Sequence, residues 1–326
     1  MAQDRNRDDG EMLDAVVIGG SFAGISAALY LARGRRSVAV VDEGQTRNRF
    51  ASAAHGLIGH DGKPPAQIRA EGLRDLLAYP EARLIAGRAL RVSGQIDDFT
   101  VELADRELRC RRLVLAYGMR DLLPELPGLA EVWGQTAFQC PYCHGYELTD
   151  RKAALWMGGP HVVDHARFLR QWVPDLTLLP LDPLSTEARA VLDTAGIPVA
   201  EAAPVSLLQD GPRLQAIRLA DGRLLPVEVL YMAPPAEPAC DLAAQLGCQM
   251  EAGMQGPIVA VDGMQASSVP GVFAAGDLAR PVFGAAFAVA AGVMAGTACH
   301  RSLALAWVGG DGGHVGGKLA GGAAAR

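Results

Sequence analysis

Cys140 and Cys143 bracket the run Cys140-Pro141-Tyr142-Cys143, and His144 follows the second cysteine directly. This spacing lets two sulfurs meet across a single turn and close a reversible disulfide. At the start of a helix such a pair has a lowered thiolate pKa and becomes nucleophilic near neutral pH. The adjacent imidazole suits the proton traffic of a thiol that is alternately oxidised and reduced. A hydrogen bond made only for structure, for instance to Glu147, is the other use of that histidine. Zinc is the rival use of the cysteines. Structural zinc takes four ligands, commonly from two close pairs, whereas Cys110, Cys240, Cys248 and Cys299 each stand alone. Those four read as buried small hydrophobes, no metal is expected, and residues 140–143 read as a redox dithiol.

The scaffold that positions this pair has 326 residues, half of them hydrophobic and a fifth charged, enough for two domains with separate cores. A net charge of −6 supplies no basic face for nucleic acid or anionic lipid. The stretch from Leu13 to Ala32 is apolar enough to mimic a membrane span, but the glycines inside it fit a strand, a turn and a helix. The first twelve residues lack the pattern of a secretory signal. A cytoplasmic protein is expected, with neither membrane nor nucleic acid as partner.

Gly19-Gly20-Ser21-Phe22-Ala23-Gly24 is a dinucleotide fingerprint with Ser21 at the middle glycine. Gly19 permits the tight turn, a small residue at Ser21 admits a pyrophosphate, and Gly24 lets the following helix pack closely. Asp42, eighteen residues after Gly24, ends the next strand and is placed with Glu43 to meet a ribose. A helix is expected over 64–79, a meander of short strands over 89–109, and a strand from Arg112 that closes on Ala116-Tyr117-Gly118. The proline-punctuated segment 123–129 then marks a domain crossing.

A second strand–turn–helix begins near Lys152, and the final apolar segment contains Gly276-Asp277 before a long small-residue helix. The expected organisation is therefore one domain split around another. Residues 1–122 and 248–307 form the first domain, 123–247 the inserted one, and 308–326 a glycine-rich tail whose His314 and Lys318 are given no role.

With its Gly-Asp turn and following helix, the chain resembles the two-domain flavin disulfide reductases, and over 13–303 it resembles low-molecular-weight thioredoxin reductases. More narrowly, Cys-Pro-Tyr-Cys-His-Gly-Tyr-Glu, the turn at Gly19 and the stretch from Arg47 to Pro65 resemble the dithiol oxidases that close the disulfides of gliotoxin, holomycin and romidepsin. The resemblance implies an α/β protein of two Rossmann-like three-layer domains, with an FAD domain split around an NADPH-type domain. It implies a homodimer with FAD in each subunit. It also implies that Asp277 bonds the ribityl chain and that the N–H groups near Ala285 and Ala286 face the flavin N1–O2 edge, where charge gathers on reduction. In thioredoxin reductases an Asp usually follows the second cysteine; His144 takes that place here.

The inserted domain departs from the reductase pattern. Aligned on the family's nicotinamide fingerprint, Met157 replaces the first glycine, Gly159 keeps the second and Val162 takes the small third position. The arginines that grip the NADPH 2′-phosphate in the family fall on Pro180-Leu181-Asp182. His161, Asp164 and His165 on this segment read as exposed helix residues. Electrons are therefore expected to run from a small dithiol through Cys140 and Cys143 to FAD, then to molecular oxygen or to NADP. A reductase of the thioredoxin-reductase kind is the alternative. A non-catalytic FAD-binding module is a third reading, against which the intact Cys140, Cys143 and His144 stand.

Overall fold

The computed structural model describes residues 11–305, so the glycine-rich tail lies outside the described residues. The first strand, β1 (Met12–Ile18), turns through glycines into α1 (Phe22–Arg33), and β2 (Val38–Asp42) pairs parallel to β1. Helix α2 (Pro65–Leu77) leads to β3 (Ala82–Ala86), and the hairpin β4 (Arg91–Gln95) and β5 (Asp98–Glu102) leads to β6 (Glu107–Leu115). The sheet runs β3-β2-β1-β6-β5-β4, and strand Val272–Ala274 joins β6 in parallel. A central parallel strand is covered on both faces and reads as a near-continuous apolar run. In β1, Leu13, Val16 and Ile18 enter one core while Ala15 and Val17 enter the other.

The inserted segment repeats this plan. Strands Leu176–Pro180, Ala153–Met157, Val229–Met232 and Ala137–Phe138 form a parallel sheet in that order. One face packs on helix Val162–Leu169, and the other on the antiparallel strands Pro204–Asp210 and Arg213–Leu219. Both domains are thus three-layer α/β, the architecture of thioredoxin reductases. Strand Met119–Asp121 leaving the first domain pairs antiparallel with Ala236–Pro238 coming back. Leu242 and Ala243, left by the sequence in the inserted segment, are packed in the first domain's core. The Tyr117 hydroxyl, 126 residues earlier in the chain, accepts the Ala243 N–H at 3.2 Å and ties the segment there.

Small residues decide how closely the first domain's helices approach. A Cβ on Gly292 would lie 2.1 Å from the Ala23 carbonyl oxygen, and one on Gly296 would lie 2.5 Å from that of Ala27. Helix Ala285–Ala304 therefore rests directly on the backbone of α1, which holds the glycine turn at the head of the sheet. Gly292→Val should push these helices apart and cost about 1–3 kcal/mol or more, read as a lower Tm and reduced FAD retention. Gly263→Ala, where a Cβ meets nothing within 4 Å, is the control. Equal melting temperatures for the two variants would contradict this account.

Candidate active site

The glycine turn, the Gly276-Asp277 turn and the cysteine pair open onto one cavity of about 730 Å³. At its far end β1 stops at Ile18 and the chain turns at Gly19, whose φ is +106°. A Cβ there would lie 2.3 Å from the Ala116 carbonyl oxygen, and one on Gly24 would lie 1.7 Å from that of Gly19. Glycine is thus required at both positions. Ser21 precedes α1 in an extended conformation and makes no side-chain cap, so the first N–H groups of the helix face the cavity without a protein cap. Asp42 accepts the Gly20 N–H at 3.0 Å and pairs with Arg69, whose Nε also donates to the Gly20 carbonyl at 2.7 Å.

Gly19, Gly20, Ser21, Ala23, Asp42, Glu43, Ala116, Gly118, Gly276, Asp277 and Ala285 all line the cavity, as do Cys140, Cys143 and His144. Gly24 and Ala286 do not. Gly24 is buried beneath the turn and serves the packing, and Ala286 is exposed on the outer side of its helix. The cradle of closely approached glycines and uncapped N–H groups fits a dinucleotide in both shape and charge.

Arg47 is the main residue that the motifs did not single out. Its guanidinium donates to Asp277 at 2.9 Å, to Asp121 through two nitrogens, and to Gln255 at 3.1 Å, and it lies over the Phe283 ring at 4.1 Å. Burial opposes its charge, but the two carboxylates outweigh burial and raise its pKa. Burial raises the Asp277 pKa, and Arg47 counters in part. The signal available was membership of the quoted stretch from Arg47 to Pro65. Its partners stand 74 and 230 residues away in the chain.

At the near end, the short helix Pro141–His144 starts from Cys140. The two sulfurs lie 2.7 Å apart, with Cys143 donating to Cys140. That bond, with N–H groups of Cys143 and Tyr142, outweighs burial and pulls the Cys140 thiol down to about 7. Its partner moves the other way: the same bond, then burial, then the Asp277 charge push the Cys143 thiol up. His144 stacks on Phe138 at 4.1 Å, and burial, followed by the nearby His55, pushes its pKa down to about 4. The imidazole is therefore neutral at physiological pH and free to accept a proton.

Elsewhere Cys110, Cys248 and Cys299 are buried as expected, but Cys240 is only half-buried. Among the described residues no group of three or more metal-ligating side chains comes together. His161 and Asp164 are exposed; His165 is not, since it is half-buried, and burial lowers its pKa. The nicotinamide alignment also shifts. Met157 ends its strand as Ile18 ends β1, so the turn begins at Gly158; Gly159 takes a positive φ of +86° as Gly19 does, and Pro160 stands between it and the helix that starts at Val162. Asp182 accepts the Gly159 N–H at 2.9 Å, closing this turn with a carboxylate. Among the described residues no helix is long and apolar enough to cross a membrane.

A family model for pyridine nucleotide-disulphide oxidoreductases matches residues 13–296. The chain is 31% identical to thioredoxin reductase tcpT of Claviceps purpurea (strain 20.1), over 90% of this chain and 94% of that protein. The oxidoreductase from Agrobacterium tumefaciens superposes with a TM-score of 0.85 at 38% identity, covering 90% of this chain and 99% of that one. HlmI superposes at 0.82 with 35% identity, covering 90% and 93%. These likenesses agree with the resemblance to thioredoxin-reductase-like, FAD-dependent dithiol oxidases seen in the sequence. The chain belongs to the pyridine nucleotide-disulphide oxidoreductases and is a thioredoxin-reductase-like flavoenzyme that binds FAD.

Proposed function

We propose that this flavoenzyme is a dithiol oxidase, closing an intramolecular disulfide in a small dithiol, with oxygen as the final acceptor. The observation that carries the reading is the contrast between two glycine turns. The first is an open cradle for FAD, whereas the second carries Pro160, which has no N–H to offer a pyrophosphate, and Asp182 where a phosphate needs a cation. Without a dedicated nicotinamide site, the substrate's thiols are the electron source. By resemblance to its family the enzyme works as a cytoplasmic homodimer.

Glycines 19 and 20, Asp42 and the start of α1 would hold the adenosine and pyrophosphate end of FAD. Asp277 keeps Oδ1 clear of Arg47 for a ribityl hydroxyl. Bound there, FAD supplies a two-electron acceptor that oxygen regenerates with hydrogen peroxide as product. In the proposed reaction a substrate thiolate attacks Cys140 Sγ of the oxidised pair, forming a mixed disulfide and releasing Cys143 on the Asp277 side. His144 takes the proton of the second substrate thiol. The new thiolate then displaces Cys140 and closes the product disulfide.

Anaerobic addition of dithiothreitol should bleach the flavin, and admitting oxygen should restore it with one peroxide per disulfide. Rapid, saturable bleaching by micromolar NADPH would falsify the oxidase reading and favour a reductase.

The reduced pair should release its first proton near pH 7, on Cys140. Iodoacetamide labelling of Cys140 should therefore rise through that pH while Cys143 labels slowly. Titration of Cys140 near the free value of ~8.5 would contradict the hydrogen-bonded arrangement.

Replacing His144 by Ala should slow dithiol oxidation by about 10²-fold at neutral pH, with a smaller deficit at higher pH where substrate thiolate forms unaided. A rate deficit independent of pH would remove His144 from the proton transfer.

A further inference from the structure

The burial that keeps the His144 imidazole neutral also makes it a poor place to leave a proton. The loop across the cavity holds a second histidine. Residues 54 and 63 pair as an isolated bridge, and Gly56 and Gly62 take positive φ of +71° and +75°, folding 55–62 back on itself. His55 lies in this fold between two carboxylates, with Nε2 3.5 Å from Glu147 and Nδ1 3.6 Å from Asp61. Asp61 is anchored by the Gly56 N–H at 2.8 Å. Side-chain exposure is 20% for His55 and increases on either side of it, to 45% for Glu147 and 70% for Asp61. His55 stands in the wall of the thiol cavity, which it shares with His144, Cys140 and Cys143. Glu147 lies one turn beyond His144 in the chain, and the charges of both His55 and Glu147 are felt at the His144 ring. Tyr231, buried behind Phe138, also feels the Glu147 charge.

We infer that His55, oriented by Glu147 and Asp61, is the proton-exchange partner of His144, linking the buried imidazole to solvent. The inference rests on the thiol–disulfide chemistry proposed above. Oxidising one dithiol breaks two S–H bonds and forms one S–S bond. The electron pair passes to FAD through Cys140 and Cys143 and then to oxygen, and the two protons end on hydrogen peroxide. No net proton is made, yet the proton taken by His144 must leave before that ring can serve again. The His55 row is a path for it. His55 acts through His144 and is a positioning and relay residue, not one that touches the reacting sulfurs.

The test is stopped-flow bleaching of the FAD-loaded enzyme by dithiothreitol under anaerobic conditions, in wild type, His55→Ala, His55→Gln and Glu147→Gln. His55→Ala should slow bleaching by at least ~10-fold at neutral pH. Added imidazole should restore much of the rate in a saturable way, because a diffusible base can do what the missing ring did. Glu147→Gln should give a smaller loss. FAD content and the thiolate–flavin absorption band of a Cys140→Ser background should be the same with and without the His55 substitution. An unchanged rate in both His55 variants overturns the inference. So does a loss that imidazole cannot restore, or one accompanied by a lost band, since either marks a structural role. If wild type is bleached by NADPH and not by dithiols, the oxidase reading fails. The relay is then tested on reoxidation of the NADPH-reduced enzyme by oxidised dithiothreitol, where the proton runs inward and the same imidazole rescue is required.

Discussion

The guanidinium of Arg47 is the junction on which the site depends. It joins the loop after β2 to Asp121 on the strand leaving the first domain and to Asp277 in the Gly-Asp turn. Through Gln255 it reaches Gln139, the residue before Cys140, across a 2.5 Å bond. Two carboxylates this close and this enclosed would repel each other without a cation between them. Breaking a buried ionic network by removing one member typically costs ~3–5 kcal/mol, because the remaining charges lose their partner. One side chain therefore fixes the carboxylate of the Gly-Asp turn, the domain connection and the approach to the dithiol.

Electrostatics then give the two cysteines different work although their sequence surroundings are nearly alike. Only one negative charge is comfortable on the pair, and the hydrogen bond from Cys143, seconded by backbone N–H groups at the start of the short helix, places it on Cys140. Asp277 adds a negative field at Cys143. Cys140 is thus the more acidic of the two, and Cys143 holds its proton. Phe138 and the surrounding burial keep the His144 ring uncharged, so the pair faces a base and not a second cation.

The two domains show how one topology serves two ends. In both, a carboxylate after the second strand accepts an N–H from the glycine turn, Asp42 from Gly20 and Asp182 from Gly159. The first turn is backed by small residues of α1 and of helix Ala285–Ala304, so the glycine backbone opens directly onto the cavity. In the second, a proline follows the glycines, and the loop around Leu181 and Asp182 lies against Gly158, where a Cβ would meet the carboxylate at 2.3 Å. The inserted domain's part at the site is to present residues 137–147, through Phe138 and the helix that carries the thiols.

The sequence by itself determined the elements whose signals are local. The glycine turn, the small-residue helix, the Cys-x-x-Cys spacing and the order of strands and helices are all read within a few residues, because backbone sterics and apolar periodicity act at that range. Some placements depended on a single residue's offset. Met157 reads in sequence as part of the turn but closes the strand, an ambiguity that only pairing with Pro180 resolves. Tertiary structure alone decided which distant charges meet. Nothing near Arg47 in the chain announces Asp277, and nothing near His144 announces His55. The same holds for the division of labour within the dithiol, since the spacing of Cys140 and Cys143 is symmetric. Their pKa values part because Cys143 donates its hydrogen bond to Cys140, which backbone N–H groups then support, while that same bond and burial hold the proton on Cys143.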